Sequence, residues 1–146
     1  ALCAERPVDR GVQCSMAIGP ATRGLVPDPR PADVDYRLAR QNTLRAYRNG
    51  SLARHLVCDA QAMLQRNAHH CGERTGEVCP ICEERELVHV VYVFGPRLPA
   101  HGRCLSAPGE LARYDARSGH YSAYTVEVCD ACAWNHLVRV SVVGRG

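Results

Sequence analysis

Residues 79–94 read CPICEERELVHVVYVF, and this stretch joins a pair of cysteines to an apolar run of strand-forming residues. Cys79 and Cys82 are separated by two residues, the spacing of a metal-binding knuckle in which both thiolates point at one ion. Residues 86–94 are rich in β-branched and aromatic side chains, and a Gly-Pro pair follows them. The stretch therefore predicts a knuckle that leads directly into a β-strand.

A second cysteine pair lies between two further strand-like runs. Residues 121–128 (YSAYTVEV) and 137–143 (LVRVSVV) alternate in the same way, and the sequence CDAC stands between them. We expect the three runs to form one antiparallel sheet in which both knuckles lie at the same end of a hairpin. Two knuckles complete a tetrahedral site for one structural Zn²⁺ ion. Its predicted ligands are Cys79, Cys82, Cys129 and Cys132.

The two pairs lie farther apart than in an ordinary zinc ribbon. The usual gap is about 15–20 residues, whereas 46 residues separate Cys82 from Cys129. The hairpin must therefore carry an insertion, which we place at residues 95–120 because of its Pro and Gly content. A short helix is expected within it, beginning near Pro108.

Other uses of these side chains stay open. CPIC resembles the Cys-Pro-x-Cys motif of glutaredoxins, although that redox motif opens a helix and here a strand follows. An iron–sulfur cluster would use the same four thiolates. His136 is an alternative ligand, and His69 and His70 are weaker ones. Trp134 is expected to pack over the metal site; if exposed, it would contact a partner, as would His136.

The composition of the chain excludes few classes of protein. The 18 basic side chains are all Arg and the net charge of +3 is mild, so charge alone does not imply a nucleic-acid partner. No membrane span or signal peptide is visible, which predicts a cytoplasmic protein without a membrane partner. Nine cysteines in such a chain favour metal binding over disulfides. Those outside the two pairs are expected to be small buried or tail residues: Cys3, Cys14, Cys58, Cys71 and Cys104.

The N-terminal half is predicted to be helical after an extension. Residues 1–32 are rich in Pro and Gly and are expected to be flexible. Residues 33–78 form the helical segment, with one helix begun at Asp33 and ended by Gly50, and a second at 59–70 in which Ala60, Ala62 and Met63 pack inward. Residues 79–146 form the ribbon. The expected fold is α+β, with N-terminal helices packed on a three-stranded antiparallel zinc-ribbon sheet.

The first helix is amphipathic. A Tyr/Ala side formed by Tyr36, Ala39, Ala46 and Tyr47 is expected to face inward. The opposite side carries Arg37, Arg40, Arg45 and Arg48. These arginines are either a solvated face or a surface for an acidic or phosphate-bearing partner.

A family resemblance rests on several of these motifs. VDYRLARQNTLRAYRNG, VCDAQAMLQRNAHHCG, CPIC, VYVFG and VEVCDACAWNHLV together resemble a small actinobacterial family catalogued as a domain of unknown function. The resemblance covers residues 34–143 and implies an intracellular zinc-ribbon protein with the same four cysteine ligands. It implies no activity.

No catalytic constellation is visible, so we expect a protein that is not an enzyme. The leading hypothesis is a zinc-stabilised accessory module for a protein partner, associated by analogy with transcription or translation machinery. One alternative is a nucleic-acid-binding protein that uses the Arg side of the first helix, and another is a CxxC thiol oxidoreductase.

Overall fold

The fold is known from a computed structural model, which describes residues 25–145. Within this range, helices and strands alternate irregularly. In chain order they are β1 (Val34–Asp35), α1 (Arg37–Arg48), α2 (Arg54–Val57), α3 (Ala62–Cys71), β2 (Glu73–Val78), β3 (Glu86–Phe94), β4 (Arg103–Cys104), α4 (Glu110–Ala116), β5 (Tyr121–Val128) and β6 (Asn135–Val143). The α+β class expected from the sequence is confirmed.

The three predicted strands form the centre of an antiparallel sheet. Val88 of β3 lies opposite Val128 of β5, which in turn lies opposite Asn135 of β6. Their β-branched and aromatic side chains suit a pleated sheet that is covered on both faces. The positions and the antiparallel pairing of these strands are confirmed.

The sheet has six strands in the described part of the chain, so the prediction of three is wrong. Its order is β1-β6-β5-β3-β2, and β4 also pairs with β3. The missed strands lie at the edges; β1 and β4 have two residues each, and β2 (ERTGEV) is largely exposed and charged. Such edge strands lack the apolar alternation that reveals a strand. Consequently the prediction that residues 33–78 are helical is wrong at both ends of that segment.

Helices cover both faces of the sheet. Alternate residues of a strand point to opposite sides, and Leu87 and Val91 of β3 lie in the apolar clusters that contain residues of α1 and α4. Val90 points the other way and packs with Ala68 of α3. Helices α1 and α4 therefore lie on one face and α3 on the other.

Helix α1 begins later than the sequence predicts. Residues 34–35 pair with β6, and the carboxylate of Asp33 lies 3.4 Å from Nε of Arg139 instead of capping a helix. Tyr36 takes the N-cap position. The predicted end is confirmed, since Asn49 is the C-cap and Gly50 adopts the positive φ of 85° that favours glycine. Strand pairing at the sheet edge has replaced the first expected turn.

The inward side of α1 also differs from the prediction. Leu44 is buried, and Tyr47 packs beside it. Ala39, expected inside, is exposed, whereas Arg40, expected outside, is three-quarters buried. The helix is rotated relative to the predicted orientation, because Leu44 points to the core and Arg40 points to the buried Glu127.

Helix α3 differs in the same way. Its N-cap is Gln61, and Ala62 and Met63 are exposed, so the prediction that these two pack inward is wrong. Ala60 is buried as expected, but it lies before the helix, where its N–H donates to the carbonyl of Ala133 at 3.0 Å. This contact draws the start of the segment toward the second knuckle.

The insertion contains the expected short helix, α4, which begins after Gly109. Glu110 anchors it, because Oε1 accepts hydrogen bonds from the N–H groups of Ser106 and Ala107 at 2.7 and 2.8 Å. The predicted extension lies outside the described residues as far as residue 24. Its remaining part contacts the fold, with Arg30 2.9 Å from Asp115 of α4.

Candidate metal centre

Four sulfur atoms converge at one end of the sheet. The Sγ atoms of Cys79, Cys82, Cys129 and Cys132 all lie within 4.8 Å of one another. The Cys79–Cys132 and Cys82–Cys129 pairs are 3.6 and 3.7 Å apart. A tetrahedral zinc site with Zn–S bonds of about 2.3 Å needs sulfurs about 3.8 Å apart. The cluster therefore has the dimensions and donor chemistry of a four-cysteine site.

The strand register brings the two knuckles together. The first knuckle follows β2 and leads into β3, as CPIC predicts, and the N–H of Cys79 donates to the carbonyl of Arg85 at 2.8 Å. The second follows β5, and the N–H of Cys129 donates to the carbonyl of Trp134 at 2.9 Å. Because β3 and β5 are paired, both loops emerge at the same end of the sheet.

Backbone N–H groups inside the knuckles point at the sulfurs. Ile81 N–H donates to Cys79 Sγ at 3.4 Å. One non-glycine residue with a positive φ follows each cysteine pair: Glu83 with a φ of 58° and Ala133 with a φ of 72°. One such residue per knuckle turns the chain tightly enough to aim amides at a sulfur.

Burial sets the electrostatics of the cluster. Cys79 and Cys129 are completely buried, whereas Cys82 and Cys132 are partly exposed. Burial raises the pKa of Cys79 and of Cys132. At Cys82 burial acts in the same direction, but hydrogen bonds from the Glu84 N–H and Cys129 hold its pKa below the ordinary value. Four crowded thiolates thus need a cation to offset their charge.

Trp134 connects the second knuckle to the core. It is fully buried, and its indole N–H donates to Oε2 of Glu127 at 2.7 Å. It packs in one apolar cluster with Cys79 and Cys129, as expected, and its side chain has no exposed surface. His136 stacks on the indole with ring centroids 5.9 Å apart. Its Nδ1 lies 2.7 Å from the Leu137 carbonyl, and it is not part of the sulfur cluster.

The same carboxylate holds α1. Nε of Arg40 donates to Oε2 of Glu127 at 2.8 Å, so Arg40 is not on the outward side of the helix as predicted. A buried carboxylate needs such a partner, and the indole N–H of Trp134 supplies a second one. Glu127 therefore links the cysteine cluster with α1: it contacts Trp134, which follows the second knuckle, and Arg40, which belongs to the helix.

The other predicted arginines remain accessible. Arg37 lies 3.6 Å from Asp35 and has a side chain that is 80 % exposed. Arg45 and Arg48 line a cleft of about 560 Å³ that runs between α1 and Pro80 of the first knuckle. Gln41 and Asn49 are among its other lining residues, and no acidic side chain lines it.

Residues 29–146 match a family that is described only as being of unknown function. The chain belongs to DUF5318. Relatives from Mycobacterium tuberculosis and Mycobacterium bovis, each named as an uncharacterized protein, are 36 % identical over 111 residues, which is 76 % of this chain and 81 % of theirs. The predicted resemblance to a family with actinobacterial members is confirmed, without its zinc-ribbon character. No solved structure matches.

Two further observations concern this DUF5318 chain as a whole. In the described residues, no helix is both long and apolar enough to cross a membrane. His69 and His70 lie away from the sulfur cluster; His69 is 3.7 Å from the carboxylate of Asp130 and largely exposed. The histidines that the sequence offered as ligands are therefore not brought to the four cysteines.

Sequence reasoning missed one residue at this site. Sγ of Cys58 lies 3.7 Å from Sγ of Cys132, although Cys58 was expected to be a scattered structural cysteine. Cys58 is the C-cap of α2, a four-residue helix whose Val57 is buried in the apolar cluster around the knuckles. Its spacing from the CxxC pairs carries no signal, because only the tertiary fold brings α2 to the second knuckle.

Proposed function

We propose that this protein is a zinc-stabilised, non-catalytic binding module with one structural Zn²⁺ ion. The convergence of four sulfurs from two knuckles carries the proposal. Zn²⁺ bound there by Cys79, Cys82, Cys129 and Cys132 would cross-link the ends of two hairpins, and four protein ligands leave no position for a reacting water. Such a centre stabilises a surface and does not perform chemistry.

The surface to be stabilised is the side of α1 that faces solvent. Arg40 and Leu44 attach the helix to the metal end of the sheet, through Glu127 and through the apolar cluster around the cysteines. Arg45 and Arg48 then project beside Pro80 of the first knuckle. This arrangement favours an acidic surface of a partner protein, for example in a transcription or translation assembly, where zinc modules often serve.

Burial argues against the thiol-oxidoreductase alternative. A nucleophilic cysteine in such an enzyme is accessible and has a lowered pKa. Cys79, the first cysteine of CPIC, is fully buried, and burial raises its pKa. A strand and not a helix follows the motif. These features favour the metal-binding role.

The test of the metal centre is the metal content of protein purified without added metal. We expect about one zinc ion per chain by plasma mass spectrometry, because the donor set is closed and all-sulfur. The double variant Cys79→Ser/Cys129→Ser should lose the zinc, whereas the control Cys71→Ser should keep it. Iron in place of zinc, or no metal in freshly prepared protein, would contradict the proposal.

A second candidate function, nucleic-acid binding, is favoured by the absence of acidic side chains among the residues that line the cleft beside α1. Arg45 and Arg48 would contact backbone phosphates there. The affinity for a short single-stranded RNA, or for a short DNA duplex, should then fall steeply as the salt concentration rises. The slope of log affinity against log salt concentration should be smaller by about 2 in the double variant Arg45→Gln/Arg48→Gln.

The matched control is Arg113→Gln/Arg117→Gln, which removes two exposed arginines near α4. Fluorescence anisotropy over a salt series measures all three proteins. Equal salt slopes in both double variants, or no binding by the parent protein, would contradict this second function. Tight binding to an acidic polypeptide but not to nucleic acid supports the protein-partner function.

A further inference from the structure

We propose that Cys58 and Cys132 form a peroxide-sensitive pair, in which a disulfide between them takes one ligand from the metal centre. The inference rests on the metal centre proposed above. It assigns to Cys58 the role of the thiol that reacts with an oxidised ligand. The oxidant class is a hydroperoxide, with hydrogen peroxide as the simplest member.

Tertiary contacts hold the two sulfurs side by side. Their Sγ atoms are 3.7 Å apart. Two residues beyond Cys58, the N–H of Ala60 donates to the carbonyl of Ala133 at 3.0 Å. The side-chain amide of Asn135 donates to Oδ1 of Asp59 at 2.9 Å. The segments that carry the two cysteines are therefore joined next to both sulfurs, and little movement is needed to bring them into bonding distance.

Exposure and the position of Cys58 together select Cys132 as the ligand that is attacked. Cys79 and Cys129 are completely buried, so a peroxide molecule does not reach them without opening the site. Cys132 and Cys58 are both partly exposed. Oxidation of cysteine follows accessibility and thiolate character, and a metal-bound ligand is a thiolate. Cys82 is partly exposed too, but Cys132 is the partly exposed ligand beside which the fifth sulfur lies.

The remaining described cysteines do not share this arrangement. Cys71 and Cys104 interact electrostatically with each other. Neither takes part in the sulfur–sulfur contacts of the described residues, which join Cys58 and the four clustered cysteines. Cys58 also has a cation near it, the guanidinium of Arg54. This charge offsets part of the negative charge that accumulates where a fifth sulfur adjoins four thiolates.

Formation of the Cys58–Cys132 disulfide transfers two electrons from the two thiolates to one molecule of hydrogen peroxide. The sulfur of Cys132 attacks one peroxide oxygen, the O–O bond breaks, and hydroxide leaves, which converts Cys132 to a sulfenic acid. The sulfur of Cys58 then attacks the Cys132 sulfur, the S–O bond breaks, and a second hydroxide leaves. Two thiolates and hydrogen peroxide thus give one disulfide and two hydroxide ions. The sulfur of Cys132 is then part of the disulfide and is no longer a thiolate that can bind the metal.

The experiment treats the zinc-loaded full chain with hydrogen peroxide. A chromogenic chelator follows zinc release, and mass spectrometry of peptides from alkylated, unreduced protein identifies the disulfide. We expect a Cys58–Cys132 disulfide that forms together with zinc release. In Cys58→Ser, release should be roughly tenfold slower, because the sulfenic acid has no neighbouring thiol. The control Cys71→Ser should behave as the parent.

Metal content before oxidation separates the two proposals. Protein without zinc at that stage contradicts the metal centre itself. Zinc-loaded protein that forms Cys79–Cys82 or another disulfide, or that loses zinc with no disulfide at Cys58, overturns the pairing alone. Release from Cys58→Ser at the parent rate also overturns it. The peptide map of the parent protein keeps the test valid if a variant folds poorly.

Discussion

Glu127 is the residue on which the link between α1 and the second knuckle depends. Its side chain is buried, and one oxygen, Oε2, accepts hydrogen bonds from Trp134 at 2.7 Å and from Arg40 at 2.8 Å. A buried carboxylate is costly without such partners, and the partners are left unpaired without the carboxylate. Glu127 therefore affects both the stability of the folded protein and the orientation of α1.

Replacing Glu127 by Gln should lower the free energy of unfolding by about 2–3 kcal/mol, because the buried charge of Arg40 loses its counter-charge. Urea unfolding can be followed by the fluorescence of Trp134, the chain's only tryptophan. Zinc content should not change, since Glu127 is not a ligand. The exposed Glu84→Gln is the control and should shift the value by less than about 0.5 kcal/mol. Equal shifts in both variants would contradict this role.

At the scale of elements, the insertion is more ordered than a simple hairpin loop. Helix α4 packs Tyr114 into the apolar cluster that contains Val91 and Tyr121. Glu110 closes the turn before the helix by accepting two backbone hydrogen bonds. The insertion thus forms its own part of the core at the end of the sheet opposite the cysteines.

The pKa of Glu110 predicts how this element responds to pH. Burial raises the pKa of Glu110. Hydrogen bonds from the N–H groups of Ser106 and Ala107 and from Arg103 lower it by a larger amount, so the net shift of the pKa is downward. Its stabilising effect is therefore present above the unfolded pKa of about 4.5 and is lost as pH falls through the folded value.

Glu110→Gln should destabilise the protein by about 2 kcal/mol at neutral pH, with a difference that shrinks below about pH 4. Thermal unfolding of the parent and the variant across that pH range measures it. Glu77→Gln, at an exposed position of β2, is the control and should show no comparable effect. A Glu110 difference that stays constant with pH would contradict the lowered pKa.

For the whole molecule, metal binding should stabilise more than the residues 79–146 in which the ligands lie. Strands β1 and β2 come from the preceding segment and pair with β6 and β3 in the same sheet. Helix α1 contributes Leu44 to the apolar cluster that surrounds the cysteines. The two predicted segments therefore share one sheet and the apolar cluster around the cysteines.

Removing zinc with a strong chelator should lower amide protection in β3, β5 and α1 together, because metal binding is coupled to folding of the shared core. Hydrogen exchange read by mass spectrometry measures protection element by element. Adding Zn²⁺ back should restore it. Loss of protection confined to the knuckles, with α1 unchanged, would contradict the coupling.

Local patterns in the sequence were sufficient for the central strands and for the two cysteine pairs. Runs of β-branched residues predicted β3, β5 and β6, because alternation is visible within a single strand. Each CxxC spacing predicted one knuckle, because only two residues separate its cysteines. The register of β3 against β5 then required the knuckles to adjoin, as the hairpin prediction implied.

Only the tertiary structure decided the features that depend on distant contacts. The edge strands carry no alternating pattern, since a strand at the rim buries little of either face. Arg40 turns inward because Glu127, far along the chain, is buried beneath it. Cys58 lies beside Cys132 because α2 packs Val57 into the apolar cluster that contains Cys79 and Cys129. The sequence by itself thus determined the central strands and the two cysteine pairs, and long-range packing decided what surrounds them.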